Sequence, residues 1–343
     1  MTKTFRVGLT RDFLSPDGKI GFGDIGLSLL EHAPGVSWEF LAGHAAELTP
    51  EHVAGYDAVL VLAPKISAAT LEGADRLAIL ARFGVGYDNV DVDACTRNGV
   101  ALTITPDGVR RPVAVSAITF MLALSHKLLV KDKLTREGRW AQKIQHNGMG
   151  VTGRTLGVVG LGNIGLEVCK MAKPFEMKIV GYDPMPRAND PRIAGVEQLP
   201  LDELLRVSDY VCICCALTAE TRHLIDERRL GLMKQTAYLI NVARGPVVEQ
   251  VALTKALRER RIQGAGLDVF DVEPISPTDE LLTLDNVILA PHAICWTDEL
   301  FRNNGTLACQ SILDVAAGRV PSGLLNTAVA ESAAFRAKLE RYR

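Results

Sequence analysis

The stretch "VVGLGNIGLEV", residues 158–168, decides how this chain is to be read. An apolar run ends in Gly160, further glycines follow at Gly162 and Gly165, and a helical pattern starts at once. Each glycine has a physical task. Gly160 permits a tight turn, Gly162 lets backbone approach a pyrophosphate, and Gly165 lets the helix pack close to the strand. The helix start adds free N–H groups and a positive dipole end, both suited to phosphates. Asp183 ends the next strand-like run, "KIVGYD", close to the offset of about 20 residues at which a carboxylate accepts hydrogen bonds from an adenosine ribose. A carboxylate there repels a 2′-phosphate, so NAD is the expected cofactor and NADP the less favoured one. Arg187, a few residues on, is what keeps NADP in view.

Working outward, strand-like and helix-like segments alternate from residue 155 onward. "TLGVVG", "MKIVGYD", "YVCICCAL", "AYLINVA", "GAGLDVF" and "NVILA" read as strands, with helical pieces such as "EQVALTKALRERR" between them. This is the rhythm of a parallel sheet covered on both faces. The first hundred residues repeat it more faintly, with strands at "FRVGLT", "VSWEFL", "YDAVLVLA", "RLAILARFG" and "VALTIT". Pro112 suits the first position of a long helix running to about Glu137, and residues 297–317 read as one more amphipathic helix. The fold class is therefore α/β, two doubly wound parallel-sheet domains.

At 343 residues the chain has room for two such domains. A net charge of −2 offers no argument for nucleic acid or an anionic membrane as partner. The longest apolar stretch, residues 113–124, is too short to span a bilayer. The start, "MTKTFRVGLTRDF", lacks the apolar core of a secretory signal, so a cytoplasmic location is expected. Alternation along "DYVCICCAL" turns Cys212 and Cys214 one way and Cys215 the other, which is poor metal geometry. These read as buried strand thiols, and no metal is expected.

Three later segments each end a strand with ionisable residues: "INVARGPVV" with Arg244, "GLDVFDVEP" with Asp268 and Glu273, and "LAPHAICW" with His292. Ligands bind such sheets at the carboxyl ends of the strands. An arginine there can clamp a carboxylate with paired hydrogen bonds. A glutamate against a histidine favours the imidazolium and orients the ring. That histidine can protonate the alkoxide formed when hydride reaches a ketone, and take the proton back in reverse. Taken singly, Arg244 reads equally well as a solvated strand-end charge, Glu273 as a turn residue before Pro274, and His292 as a histidine satisfied by backbone.

In this combination and order the motifs resemble the D-isomer-specific 2-hydroxyacid dehydrogenases, from "ARFGVGYDNVDVDAC" at 81–95 to "LLN" at 324–326. The resemblance implies NAD-dependent interconversion of a 2-keto acid and a D-2-hydroxy acid. It implies Arg244 on the substrate carboxylate, His292 as proton donor and Glu273 as its partner. Asn163 and Ile164 would lie along the pyrophosphate. Val242, Ala243 and Asp268 would hold the nicotinamide end. Backbone N–H groups at Val85 and Gly86 would meet the substrate. Also implied are a discontinuous substrate-binding domain of residues 1–105 and 296–330, a Rossmann dinucleotide-binding domain of residues 106–295, and a homodimer.

Two departures bear on the substrate. Arg110 and Arg111 stand at the expected hinge, either as surface charges or as readers of a second anionic group. Trp296, where the family commonly has a small or hydroxyl residue, would wall the pocket and favour small acids such as glyoxylate or hydroxypyruvate. A short phosphoglycerate dehydrogenase is the alternative within the family. An NAD(H)-sensing, corepressor-like binding protein is the alternative from another class. Formate dehydrogenase is disfavoured, because it would carry glutamine at Glu273.

Overall fold

The structure, a computed structural model, describes residues 4–185 and 190–343. The chain divides into two compact units, residues 1–109 with 296–343 and residues 110–295.

The first unit is built on strands β1 (Phe5–Leu9), β2 (Val36–Phe40), β3 (Ala58–Val61), β4 (Ile79–Arg82) and β5 (Ala101–Thr103). They form one parallel sheet in the order β2-β1-β3-β4-β5. Period-2 alternation makes the two cores: Ala58 and Leu60 face one cluster, Val59 and Val61 the other. The helix Asp298–Ala316 returns to cover the first face with Ala308, Ile312 and Val315. Residues beyond 330 also belong here. Phe335 and Leu339 are core residues, and the buried Lys338 donates to the carbonyls of Leu77 at 2.7 Å and Asn98 at 2.8 Å. Burial pulls that ammonium down to about 8. The expected limit at residue 330 thus falls short: the following helix, Ala333–Leu339, is apolar on one side and has a core to fill.

The second unit holds β6 (Thr155–Val159), β7 (Lys178–Tyr182), β8 (Glu197–Gln198), β9 (Tyr210–Ile213), β10 (Tyr238–Asn241), β11 (Gly264–Leu267) and β12 (Val287–Leu289). All run parallel, in the order β12-β11-β10-β9-β6-β7-β8. Alternation again supplies two cores, with Val211, Ile213 and Leu239 on one face and Tyr210, Cys212 and Ile240 on the other. Strand order reverses between β6 and β9, and a crevice at that point is where such sheets take ligands.

The long helix differs from its expected form. It spans Pro106–Ser125, so Pro106 opens it and Pro112 lies inside. It ends before Lys127, whose φ of 51° breaks the helical path, and a separate helix follows at Leu128–Arg136. Proline at either position satisfies the same fixed φ, and nothing in the local pattern distinguishes the two. Ala114, Ala117, Ile118, Met121 and Leu124 of the first helix enter the core at helical spacing.

Candidate active site

The glycine turn follows β6 and opens the helix Asn163–Ala172. Gly160 has φ 96°, and a Cβ on it would stand 2.6 Å from the backbone nitrogen of Cys215. A Cβ on Gly165 would collide with the carbonyl oxygen of Gly160, so this residue lets the helix close on the strand. A Cβ on Gly162, by contrast, would meet nothing within 4 Å. That open flank above a helix start fits a pyrophosphate, which needs room and backbone N–H groups.

Asp183, just past β7, braces this turn. One oxygen accepts from the Leu161 N–H at 2.9 Å and the other from the Met185 N–H at 2.9 Å. Each carboxylate oxygen keeps a lone pair for a further donor such as a ribose hydroxyl. Asn163 accepts from the Arg192 guanidinium at 3.0 Å, and Ile164 packs on the core. Arg187 lies outside the described residues.

At the far side of the sheet three connections meet. After β10, the buried Asn241 ties its own turn: its amide donates to the Arg244 carbonyl at 3.0 Å and its oxygen accepts from the Ala243 N–H at 3.1 Å. This turn carries Val242, Ala243 and Arg244. Gly245 allows it to cross the next loop closely, since a Cβ there would collide with the Phe270 carbonyl. Sequence reading missed Asn241 as part of the site; its only signal was a polar residue ending the apolar run "AYLIN".

After β11 come two carboxylates in unlike settings. Asp268 is buried, and one oxygen accepts from the Ala293 and Ile294 N–H groups at 2.9 and 3.1 Å. Burial raises its pKa, while those bonds and the His292 charge oppose the rise. Glu273 accepts from the Phe270 N–H at 3.0 Å and meets His292 Nδ1 at 2.6 Å. Burial is the largest single influence on Glu273 and opposes its ionisation. The bonds from His292 and Phe270, with the charges of His292 and Arg244, together outweigh it and hold the carboxyl below its usual range. His292 itself has φ 54°, the left-handed region, in the segment that Asp268 grips from the other side. The structure thus brings Arg244, Asp268, Glu273 and His292 to the carboxyl end of one sheet.

Val85, Gly86 and Trp296 belong to the first unit. Val85 and Gly86 follow β4 on a loop secured by Thr105, whose hydroxyl accepts from the Gly84 N–H at 3.0 Å. Trp296 is half exposed and packs edge-on against Phe22, with centroids 5.0 Å apart, and Phe301 at 5.8 Å. Arg110 and Arg111 turn to Glu167: Arg111 Nη1 lies 3.2 Å and Arg110 Nε 3.8 Å from its carboxylate. The cysteines are free thiols. Cys212 and Cys214 lie 3.6 Å apart, and that contact together with burial pushes the Cys214 thiol well up, disfavouring thiolate.

A doubly wound dinucleotide-binding sheet whose strand ends present an arginine and a carboxylate-paired histidine defines a nicotinamide-dependent oxidoreductase. Residues 118–293 match the family described as D-isomer specific 2-hydroxyacid dehydrogenase, NAD binding domain. The chain is 40% identical over 309 residues to glyoxylate reductase of Korarchaeum cryptofilum, covering 89% of this chain and 93% of that protein. It is 41% identical over 308 residues to glyoxylate reductase of Thermococcus onnurineus, covering 88% and 92%. Among solved structures, D-lactate dehydrogenase from Aquifex aeolicus, complexed with NAD and lactic acid, superposes with a TM-score of 0.79 at 28% identity, covering 91% of this chain and 96% of that one. The chain belongs to the D-isomer specific 2-hydroxyacid dehydrogenase family. It is an NAD-dependent oxidoreductase interconverting 2-keto acids and D-2-hydroxy acids.

Proposed function

We propose that this enzyme reduces a small 2-keto acid of the glyoxylate kind, with Arg244, Glu273 and His292 as its catalytic residues. The observation that carries the reading is the 2.6 Å contact between His292 Nδ1 and the Glu273 carboxylate beside the Arg244 turn. With Nδ1 engaged, Nε2 is the ring nitrogen left to deliver a proton. Arg244 neutralises and orients the substrate carboxylate. NADH, when bound, supplies the hydride. As the carbonyl oxygen gains negative charge, the proton on His292 Nε2 moves to it, and the reverse reaction returns it. Glu273, held ionised, keeps the ring oriented and balances its charge.

In this reading Gly160, Gly162, Gly165, Asn163 and Ile164 hold the pyrophosphate and Asp183 the ribose. Val242, Ala243 and Asp268 hold the nicotinamide end. Val85 and Gly86 offer N–H groups to the substrate, and Trp296 limits its size. The glyoxylate assignment draws on the archaeal relatives named above. It is tested by following NADH absorbance with glyoxylate, hydroxypyruvate, pyruvate, phenylpyruvate and phosphohydroxypyruvate, with NADPH in parallel. Glyoxylate with NADH should turn over fastest. Faster turnover of phosphohydroxypyruvate would replace this reading with the short phosphoglycerate type.

The proposal extends to a homodimer. Leu128, Leu129, Trp140 and Ile144, on adjoining segments of the second unit, are 56%, 53%, 65% and 76% exposed. A second copy of the chain is the occupant that the family expectation supplies for so apolar a patch. Light scattering should give twice the chain mass for wild type, and Ile144→Lys should shift it toward one. A cytoplasmic place of work is in keeping with the free cysteines.

A further inference from the structure

Within the first unit, a buried polar relay runs from the helix Asp298–Ala316 to the loop that follows β4. Asn304 and Thr105 are each 2% exposed, so their side chains depend on one another more than on water. The Thr105 hydroxyl donates its one proton to Asn304 Oδ1 at 2.9 Å. With that proton committed, the hydroxyl can only accept from the loop, and it does so from the Gly84 N–H at 3.0 Å. Thr105 also holds the other side of Gly84, donating its own N–H to the Gly84 carbonyl at 2.9 Å. Gly84 has φ 129°, a backbone setting that favours glycine. Its N–H also reaches the Arg82 carbonyl at 3.0 Å, so satisfying that donor does not require Thr105. What the hydroxyl adds is a fixed direction for the chain entering Val85 and Gly86.

The far end of the relay is anchored by close packing. A Cβ on Gly305 would collide with the Ile25 carbonyl oxygen, so the helix meets backbone at the residue after Asn304. A Cβ on Gly108 would collide with Asn304 Oδ1, so that glycine leaves the amide its place. Replacing both partners of a buried hydrogen bond by apolar groups of the same shape can be nearly neutral for stability. Packing alone thus gives no reason for a polar pair here. We propose that Asn304 is a positioning residue for the keto acid. Through the Thr105 hydroxyl it fixes Gly84, and with it the Val85 and Gly86 N–H groups that receive the substrate carboxylate. The inference rests on the proposed reading of that loop as the seat of the carboxylate, and adds the side chains that set it. Donors already in place bind without the cost of ordering them.

The test is steady-state kinetics of the whole enzyme with glyoxylate and NADH, beside thermal melts. Thr105→Val should raise the KM for glyoxylate about tenfold while kcat and the KM for NADH stay within about twofold of wild type, as when binding common to ground and transition states is lost. Thr105→Ser keeps the hydroxyl and should stay within about twofold throughout. Asn304→Leu should raise the same KM about fivefold and add nothing further in the Thr105→Val background, the mark of residues acting in one network. A glyoxylate KM unmoved in Thr105→Val and Asn304→Leu, whatever their melting temperatures, overturns the inference. So does a Thr105→Ser variant as weak as Thr105→Val, or effects that add in full. Amide hydrogen exchange of the NADH-loaded wild type, with and without the unreactive keto-acid analogue oxamate, separates this failure from failure of the loop reading. Oxamate should slow exchange around residues 84–86. No slowing there overturns the loop reading and the inference with it, whereas slowing with an unmoved KM overturns the inference alone.

Discussion

The glycine turn and the histidine corner stand at the carboxyl edge of the same seven-stranded sheet, yet they are built in opposite ways. The turn is made by missing side chains within one short run of sequence. Gly165 brings helix and strand together, and Gly162 leaves a flank open. The corner is made by side chains that converge from three separate connections, after β10, β11 and β12. The turn needs only that its own residues take the right backbone angles. The corner needs three strands in register before Arg244, Glu273 and His292 meet at all. Even two neighbours within it behave differently. Burial raises Asp268, while Glu273, a few residues on, is held below its usual range by the ring and charges it faces. A local motif makes a shape, and a tertiary corner sets protonation.

Four substitutions would break or sharpen this contrast, and the largest effect belongs to the turn. Gly165→Ala forces a Cβ into the Gly160 carbonyl, and should destabilise the second unit by about 3 kcal/mol or more. A thermal melt within a degree or two of wild type would refute the close-packing role. Next, His292→Asn should lower kcat by about 10²- to 10⁴-fold with NADH binding retained, as expected when a general acid is removed. Near-normal turnover would remove the histidine from the chemistry.

Glu273→Gln should lower turnover less, roughly tenfold near neutral pH, because the ring loses the charged partner that orients it. Turnover equal to wild type would reduce Glu273 to packing. The same variant has a stability signature. A depressed carboxyl contributes stability above its ordinary pKa and loses it as pH falls through the depressed value. The melting difference between wild type and Glu273→Gln should therefore shrink below about pH 4. A difference constant with pH would show that ionisation of Glu273 is not its source.

The smallest effect is expected from Gly162→Ala. Its Cβ meets open space, so the melting temperature should hold while the KM for NADH rises severalfold. Unchanged KM would mean that the open flank is not where the pyrophosphate lies.

Much of this was readable in advance, for identifiable reasons. Strands β9 to β12 announce themselves as apolar runs because both faces of a parallel sheet are buried. The glycine spacing marks its turn because Gly160 and Gly165 leave no room for a side chain. The start of the long helix was misplaced at Pro112 because two prolines compete for one role and only packing chooses Pro106. The C-terminal helix was missed because its apolar residues have meaning only against the first unit's core. Asn241 was passed over because a buried asparagine tying its own turn resembles any polar residue ending a strand.

What the linear chain settles is whatever depends on residues near one another: alternation that makes two doubly wound sheets, a turn open to phosphate, and a carboxylate placed to prefer NAD. Resemblance of motif order adds the reaction class. Folding in three dimensions was needed for the rest. It sends Arg110 and Arg111 to Glu167, makes Asp183 a brace for the glycine turn, and gives Asp268 and Glu273 opposite shifts. The physical reason is common to all three. Charge and hydrogen bonding depend on distance in space and on exclusion of water, and neither is a property of spacing along the chain.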